Sequence, residues 1–133
     1  GFFRNKAKAI VGASRLLVEH HGGNVPQTME ELLLLPGVAR KTASVVLAWC
    51  FGINAGVTVD THVSRLAQRL QLSCHREPRR IEPDLMKLVA QADWQNLSIR
   101  LIFHGRAVCT ARKPRCGDCP IADLCPMGSR PSG

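Results

Sequence analysis

The chain has 133 residues, 45% of them apolar and 21% charged. That fits one globular domain or two small lobes sharing a core, and it excludes a disordered segment. Eighteen Lys and Arg against ten Asp and Glu leave a formal charge of +8, a surplus that favours a polyanionic partner, most often nucleic acid. No apolar run approaches the roughly 20 residues of a membrane span; Leu32–Leu35 and Ala43–Phe51 are too short. The chain opens Gly1-Phe2-Phe3-Arg4 inside an amphipathic pattern, with no initiator Met and no signal peptide, and so reads as a piece of a longer or processed protein.

Helical periodicity runs through most of the chain. In Phe3–His21, Ala7, Ile10, Val11, Leu17 and Val18 recur at three- and four-residue steps, and Gly22-Gly23 stops the helix. His20 and His21 suit the negative end of its dipole. Thr28-Met29-Glu30-Glu31 reads as a capping box in which the Thr hydroxyl and the Glu carboxylate each satisfy a free amide. A short helix, about Met29–Leu34, follows, then the tight turn Leu35-Pro36-Gly37-Val38-Ala39, then a helix over Arg40–Phe51 ended by Gly52. Val57–Val59 is the one extended stretch. Asp60 stands at the N-cap of a helix over Thr61–Leu70. Pro78 and Pro83 bracket a basic loop, with Pro83 in the first turn of a helix to about Ala92. A last helix, Trp94–Val108, turns Leu97, Leu101, His104 and Val108 inward. The class is all-α. Cys50 reads as a small core residue near a helix end, and Cys74 falls in a loop.

Three features carry chemistry. Two helices joined at Leu35–Ala39 leave amides of Gly37, Ala39 and Arg40 at a helix start, where a phosphate oxygen can bind without regard to base sequence. An ordinary helical hairpin has the same pattern. Lys41 falls in the first turn beside Arg40, where an amine can be a nucleophile in its neutral form or a plain phosphate contact. Asp60 is a cap that can also act as a base or stabilise positive charge. The spacing Cys109-x6-Cys116-x2-Cys119-x5-Cys125, with Pro114, Gly117 and Pro120 permitting sharp turns, makes a four-thiolate site. On spacing alone zinc and an iron–sulfur cluster are equally good occupants. Between Asp93 and Asp118 there is no acid, yet Arg100, Arg106, Arg112, Lys113 and Arg115 all fall there. Arg112, Lys113 and Arg115 can meet DNA phosphates or offset the thiolate charge.

Leu35-Pro36-Gly37-Val38-Ala39-Arg40-Lys41-Thr42-Ala43 strongly resembles the helix-hairpin-helix motif of endonuclease III-type DNA glycosylases. Val59-Asp60-Thr61-His62-Val63 resembles the second motif of that family, and Leu101-Ile102-Phe103-His104-Gly105-Arg106 leads into Cys109 as the third does. The likeness runs from Asn5-Lys6-Ala7 to Cys125. One departure is Ala39, where the family usually has a second glycine; Ala is costly there if φ is positive and harmless if it is negative.

The resemblance implies a two-lobed fold: a partial helical bundle over 1–93 with the hairpin at about 29–51, then the last helix and an iron–sulfur loop over 94–128, and a tail at 129–133. Lys41 becomes the nucleophile that attacks C1′ of a damaged nucleotide, forms a Schiff base and leads to β-elimination, with Asp60 assisting. Gly37, Ala39, Arg40, Thr42, His62, Arg112, Lys113 and Arg115 become DNA contacts. Cys109, Cys116, Cys119 and Cys125 become ligands of a [4Fe-4S] cluster, with zinc as the alternative. The implied activity is base-excision repair by a bifunctional DNA N-glycosylase and apurinic/apyrimidinic lyase, acting on oxidised pyrimidines in double-stranded DNA. The alternatives are a glycosylase for mismatched or other damaged bases and a non-catalytic DNA-binding module. A monomer without membrane attachment, in the bacterial cytoplasm near the nucleoid, completes the expectation. Amino-terminal helices of the family are absent from the chain, which predicts an exposed apolar face.

Overall fold

The structure, a computed structural model, describes residues 1–128; the tail expected at 129–133 lies outside them. The described residues hold six α-helices and no strand: α1 Phe3–His21, α2 Met29–Leu33, α3 Arg40–Phe51, α4 Thr61–Arg69, α5 Pro78–Leu88 and α6 Trp94–Ala107. The extended stretch at Val57–Val59 therefore joins no sheet. The chain divides into two compact units, Gly1–Ala55 and Gly56–Gly133. The boundary at 93/94 drawn from the sequence falls inside the second unit, because α6 packs against α4.

In the first unit, Leu32, Leu35, Ala43 and Leu47 form a buried core. α1 meets this core through Ala13, Leu16 and Leu17. Ile10, Val11 and Val18, which carried the periodic pattern, are exposed. The packing face of α1 combines Leu16 and Leu17 with small residues such as Ala13 and Gly12. A β-carbon on Gly12 would stand 3.2 Å from the Pro36 ring, so the missing side chain is what lets the hairpin turn close on the helix. Gly22 and Gly52 end α1 and α3 in the left-handed conformation, as their placement predicts. The cap of α2 differs in one bond. The Thr28 hydroxyl accepts from the Glu31 N–H at 3.3 Å, but the Glu31 carboxylate accepts from that same hydroxyl at 2.6 Å rather than from an amide. Cys50 is exposed, not core, because the buried face of α3 is Ala43, Ser44 and Leu47.

In the second unit, Val57, Val63, Leu66, Ala67, Ile81, Leu85 and Leu101 make the core. α5 begins at Pro78 and runs through Pro83, which corrects the helix start placed at Pro83. Pro78 occupies N1, where its missing N–H costs nothing. Ile81 and Leu85 lie one turn apart on either side of Pro83 and are both fully buried; their shared burial carries the helix past a residue that cannot donate. α5 ends at Leu88, short of Ala92. The buried face of α6 is Ser98, Leu101 and Gly105; Leu97, His104 and Val108 are only half-buried. Ser98 accepts from the Thr58 N–H at 2.9 Å and donates to the Trp94 carbonyl at 3.2 Å, so a polar residue pins the strand-like segment before α4. Gly105 lies under α4, where a β-carbon would meet the His62 side chain at 3.2 Å.

Candidate functional site

Gly37 and Ala39, in the turn between α2 and α3, are exposed. Gly37 adopts φ +78°, and the Val38 N–H closes the turn on the Leu35 carbonyl at 3.1 Å. Ala39 has φ −95° and ψ 168°, so this position does not need glycine, and the departure from the motif is harmless to the turn. α3 has no side-chain cap. Among the described residues nothing accepts from the N–H groups of Gly37, Ala39, Lys41 or Thr42. These donors, at the positive end of a twelve-residue helix, suit an anionic oxygen. Arg40, Lys41 and Thr42 are all exposed beside them.

Asp60 caps α4: its Oδ1 accepts from the Val63 N–H at 2.8 Å. This bond holds the carboxylate in one orientation while leaving Oδ2 without a hydrogen-bond partner among the described residues. His62 is half-buried, with Nδ1 3.2 Å from Arg65 Nη2.

The four cysteines of the tail line one cavity of about 80 Å³, partly open to solvent and lined mostly by apolar groups such as Leu66, Val108 and Ile121. None of them is in a disulfide. Among the described residues no three His, Cys, Asp or Glu side chains converge closely enough to hold a single metal ion. Four thiols around a cavity fit a polynuclear group better than the tight tetrahedron of zinc, whose Zn–S bonds are about 2.3 Å.

Two arginines not singled out in the sequence complete this site. Arg65 donates through Nη2 to the Gly105 carbonyl at 2.9 Å and the Cys109 carbonyl at 3.0 Å. Arg69 donates to the Thr110 carbonyl at 2.8 Å, the Ala111 carbonyl at 2.9 Å and the Cys109 Sγ at 3.2 Å. Their spacing of four residues puts them on one side of α4, but nothing local shows which loop that side meets. His104, expected to pack within the last helix, instead brings Nε2 within 3.6 Å of Cys119 Sγ.

The basic loop after Cys109 is closed by the Thr110 hydroxyl, which donates to the Lys113 carbonyl at 2.7 Å. Arg112 and Lys113 are exposed. Arg115 is exposed too, but its guanidinium donates to the Ala107 carbonyl, so it also closes the end of α6. The hairpin residues Gly37 to Thr42 thus belong to the first unit, and Asp60, His62, the cysteines and the basic loop to the second.

Residues 1–91 match the model of the HhH-GPD superfamily of base excision DNA repair proteins, more than half of the chain. The chain belongs to this superfamily. Residues 109–125 match the iron-sulfur binding domain of endonuclease III, so the superfamily fold is followed here by an iron–sulfur site. Endonuclease III of Synechocystis sp. is 69% identical over 126 residues, which are 95% of this chain and 58% of the relative. Endonuclease III of Bacillus subtilis is 44% identical over 98% of this chain and 59% of its own length. A solved trapped endonuclease III–DNA covalent intermediate superposes with a TM-score of 0.89 at 40% identity, covering 96% of this chain and 60% of the other. A thermostable thymine-DNA glycosylase gives 0.80 at 25% identity, with the same coverage. The chain therefore spans less than two thirds of the length of these superfamily relatives.

Proposed function

We propose that the protein is a bifunctional DNA N-glycosylase and apurinic/apyrimidinic lyase of base-excision repair, acting on oxidised pyrimidines in double-stranded DNA. The observation that carries this reading is Lys41: an exposed amine in the first turn of α3, next to backbone amides left open for a phosphate, in a superfamily of base excision repair proteins. The phosphate grip positions the DNA backbone without reading sequence, as a repair enzyme that meets lesions in any context requires. The damaged nucleotide is then extruded from the stack.

As a neutral amine, Lys41 Nζ forms a bond to C1′ while the bond from C1′ to the base breaks. The opened sugar is held as an imine, and loss of a C2′ proton expels the 3′ phosphate. Asp60, oriented by its cap bond, stabilises positive charge on the sugar or takes the proton from the amine. Arg40, Thr42 and the amides of Gly37 and Ala39 hold phosphate, and Arg112, Lys113, Arg115 and His62 extend the contact. Cys109, Cys116, Cys119 and Cys125 would ligate a [4Fe-4S] cluster, supported by their disposition around the cavity. Such a cluster exchanges one electron when bound, and the chemistry of Lys41 uses none, so its part is to shape the basic loop. The bacterial origin of the relatives is consistent with action on DNA in a bacterial cytoplasm, and the protein is read as working as a monomer near the nucleoid.

Borohydride trapping on a duplex with an abasic site tests the enzymatic reading. The unsubstituted protein is expected to form a covalent adduct and Lys41→Ala none; an adduct that persists in the variant removes Lys41 as nucleophile, and binding without any adduct points to a DNA-binding module. A panel of duplexes with single lesions tests the substrate: preference for a mismatch over oxidised pyrimidines would overturn that part. Broad visible absorption distinguishes the cluster from zinc.

A further inference from the structure

We propose that Arg69 and His104 donate N–H groups to the sulfurs of the cysteine site, that Arg69 positions the Cys109 end of the loop, and that both raise the reduction potential of the bound cluster. This rests on the iron–sulfur reading of the site. The guanidinium of Arg69 has five donors in a planar fork and no acceptor. It meets the Cys109 sulfur at 3.2 Å and the carbonyls of Thr110 and Ala111 at 2.8 and 2.9 Å. The backbone carbonyl of the same residue lies 4.0 Å from Cys125 Sγ. Arg69 thus touches both the first and the last cysteine of the set, from a helix 40 residues earlier in the chain.

His104 reaches the site from α6, with Nε2 3.6 Å from Cys119 Sγ, while its own carbonyl accepts from the Cys109 N–H at 2.8 Å. A ligating thiolate can only accept, so the ring must present Nε2–H to it. N–H groups aimed at ligating sulfurs stabilise the more negative, reduced state and raise the potential. A point donor such as an ammonium cannot reach a sulfur and two successive carbonyls at once, so the fork has a positioning role that charge alone does not fill.

The test uses the protein loaded anaerobically with ferrous iron and sulfide, compared with Arg69→Lys and His104→Leu. Three quantities are read: visible absorbance, the one-electron potential on an electrode, and the rate of absorbance loss to a chelator. Both variants are expected to shift the potential negative. Arg69→Lys should also lose the chromophore about 10-fold faster or more, with helical content by circular dichroism unchanged. Unshifted potentials in variants that keep their absorbance would overturn the proposal while leaving the cluster reading intact. If Arg69→Lys takes up no cluster, the potential of His104→Leu decides. If the unsubstituted protein develops no broad visible absorbance, the cluster reading fails and this inference fails with it.

Discussion

Gly37 faces Ala9 so closely that a β-carbon on the glycine would stand 2.6 Å from the Ala9 Cβ. The turn between α2 and α3 is thus seated directly on α1, and its approach to that helix depends on a residue with no side chain. Gly37 also holds φ +78°, which an L side chain adopts at a cost of roughly 1–2 kcal/mol. Gly37→Ala combines strain and clash and should destabilise the protein by about 2 kcal/mol or more. Ala39→Gly, at a negative φ, should change stability by less than about 1 kcal/mol. Urea unfolding of the two variants side by side checks the asymmetry; equal losses would mean that the turn tolerates a side chain at Gly37.

Asp60 separates into a structural and a chemical role by choice of substituent. Asn is as good an N-cap as Asp, so Asp60→Asn should fold with unchanged stability yet form the borohydride-trapped adduct about 100-fold more slowly or worse. Asp60→Ala should in addition lose about 1 kcal/mol of stability with the Val63 bond. Normal trapping by Asp60→Asn would reduce the residue to its cap.

Pro83 sits inside α5 with no N–H to give to the carbonyl one turn back. Pro83→Ala restores that donor and removes the ring clash, so thermal unfolding should shift upward, by about 1 kcal/mol or more of added stability. A drop would mean that the unfolded-state restriction imposed by proline outweighs the helix defect.

The basic loop makes a prediction about salt. Arg112→Ala and Lys113→Ala should each lower the slope of log affinity against log salt by about 1 on duplex DNA, uniformly across sequences. Arg115→Ala should do the same and also loosen the end of α6, because its guanidinium holds the Ala107 carbonyl. A loss of affinity that ignores salt would place these cations away from phosphate.

Signals that lie within a few residues of one another carried most of the reading from sequence. The glycine stops at Gly22 and Gly52, the Asp60 cap and the limits of α1 and α3 are decided by local backbone chemistry, and they stand where that chemistry puts them. The hairpin and the cysteine spacing are likewise short-range patterns, and they were enough to assign the superfamily. Pro83 was misread because two prolines compete for one N1 position, and only the burial of Ile81 and Leu85 chooses between them. The periodic pattern of α1 placed Leu17 correctly on the core but not Ile10, Val11 and Val18, since small residues such as Ala9 and Gly12 on the packing face are recognised only by what approaches them.

The amino-acid order alone therefore determined the ends of α1 and α3, the short turn between α2 and α3 and the spacing of the four thiols, because each depends on positions close along the chain. Tertiary structure alone decided that Arg69 and His104 meet those thiols and that Ser98 pins Thr58. Such contacts join side chains from elements distant in sequence, and their partners are chosen by how whole helices pack once their apolar faces are buried.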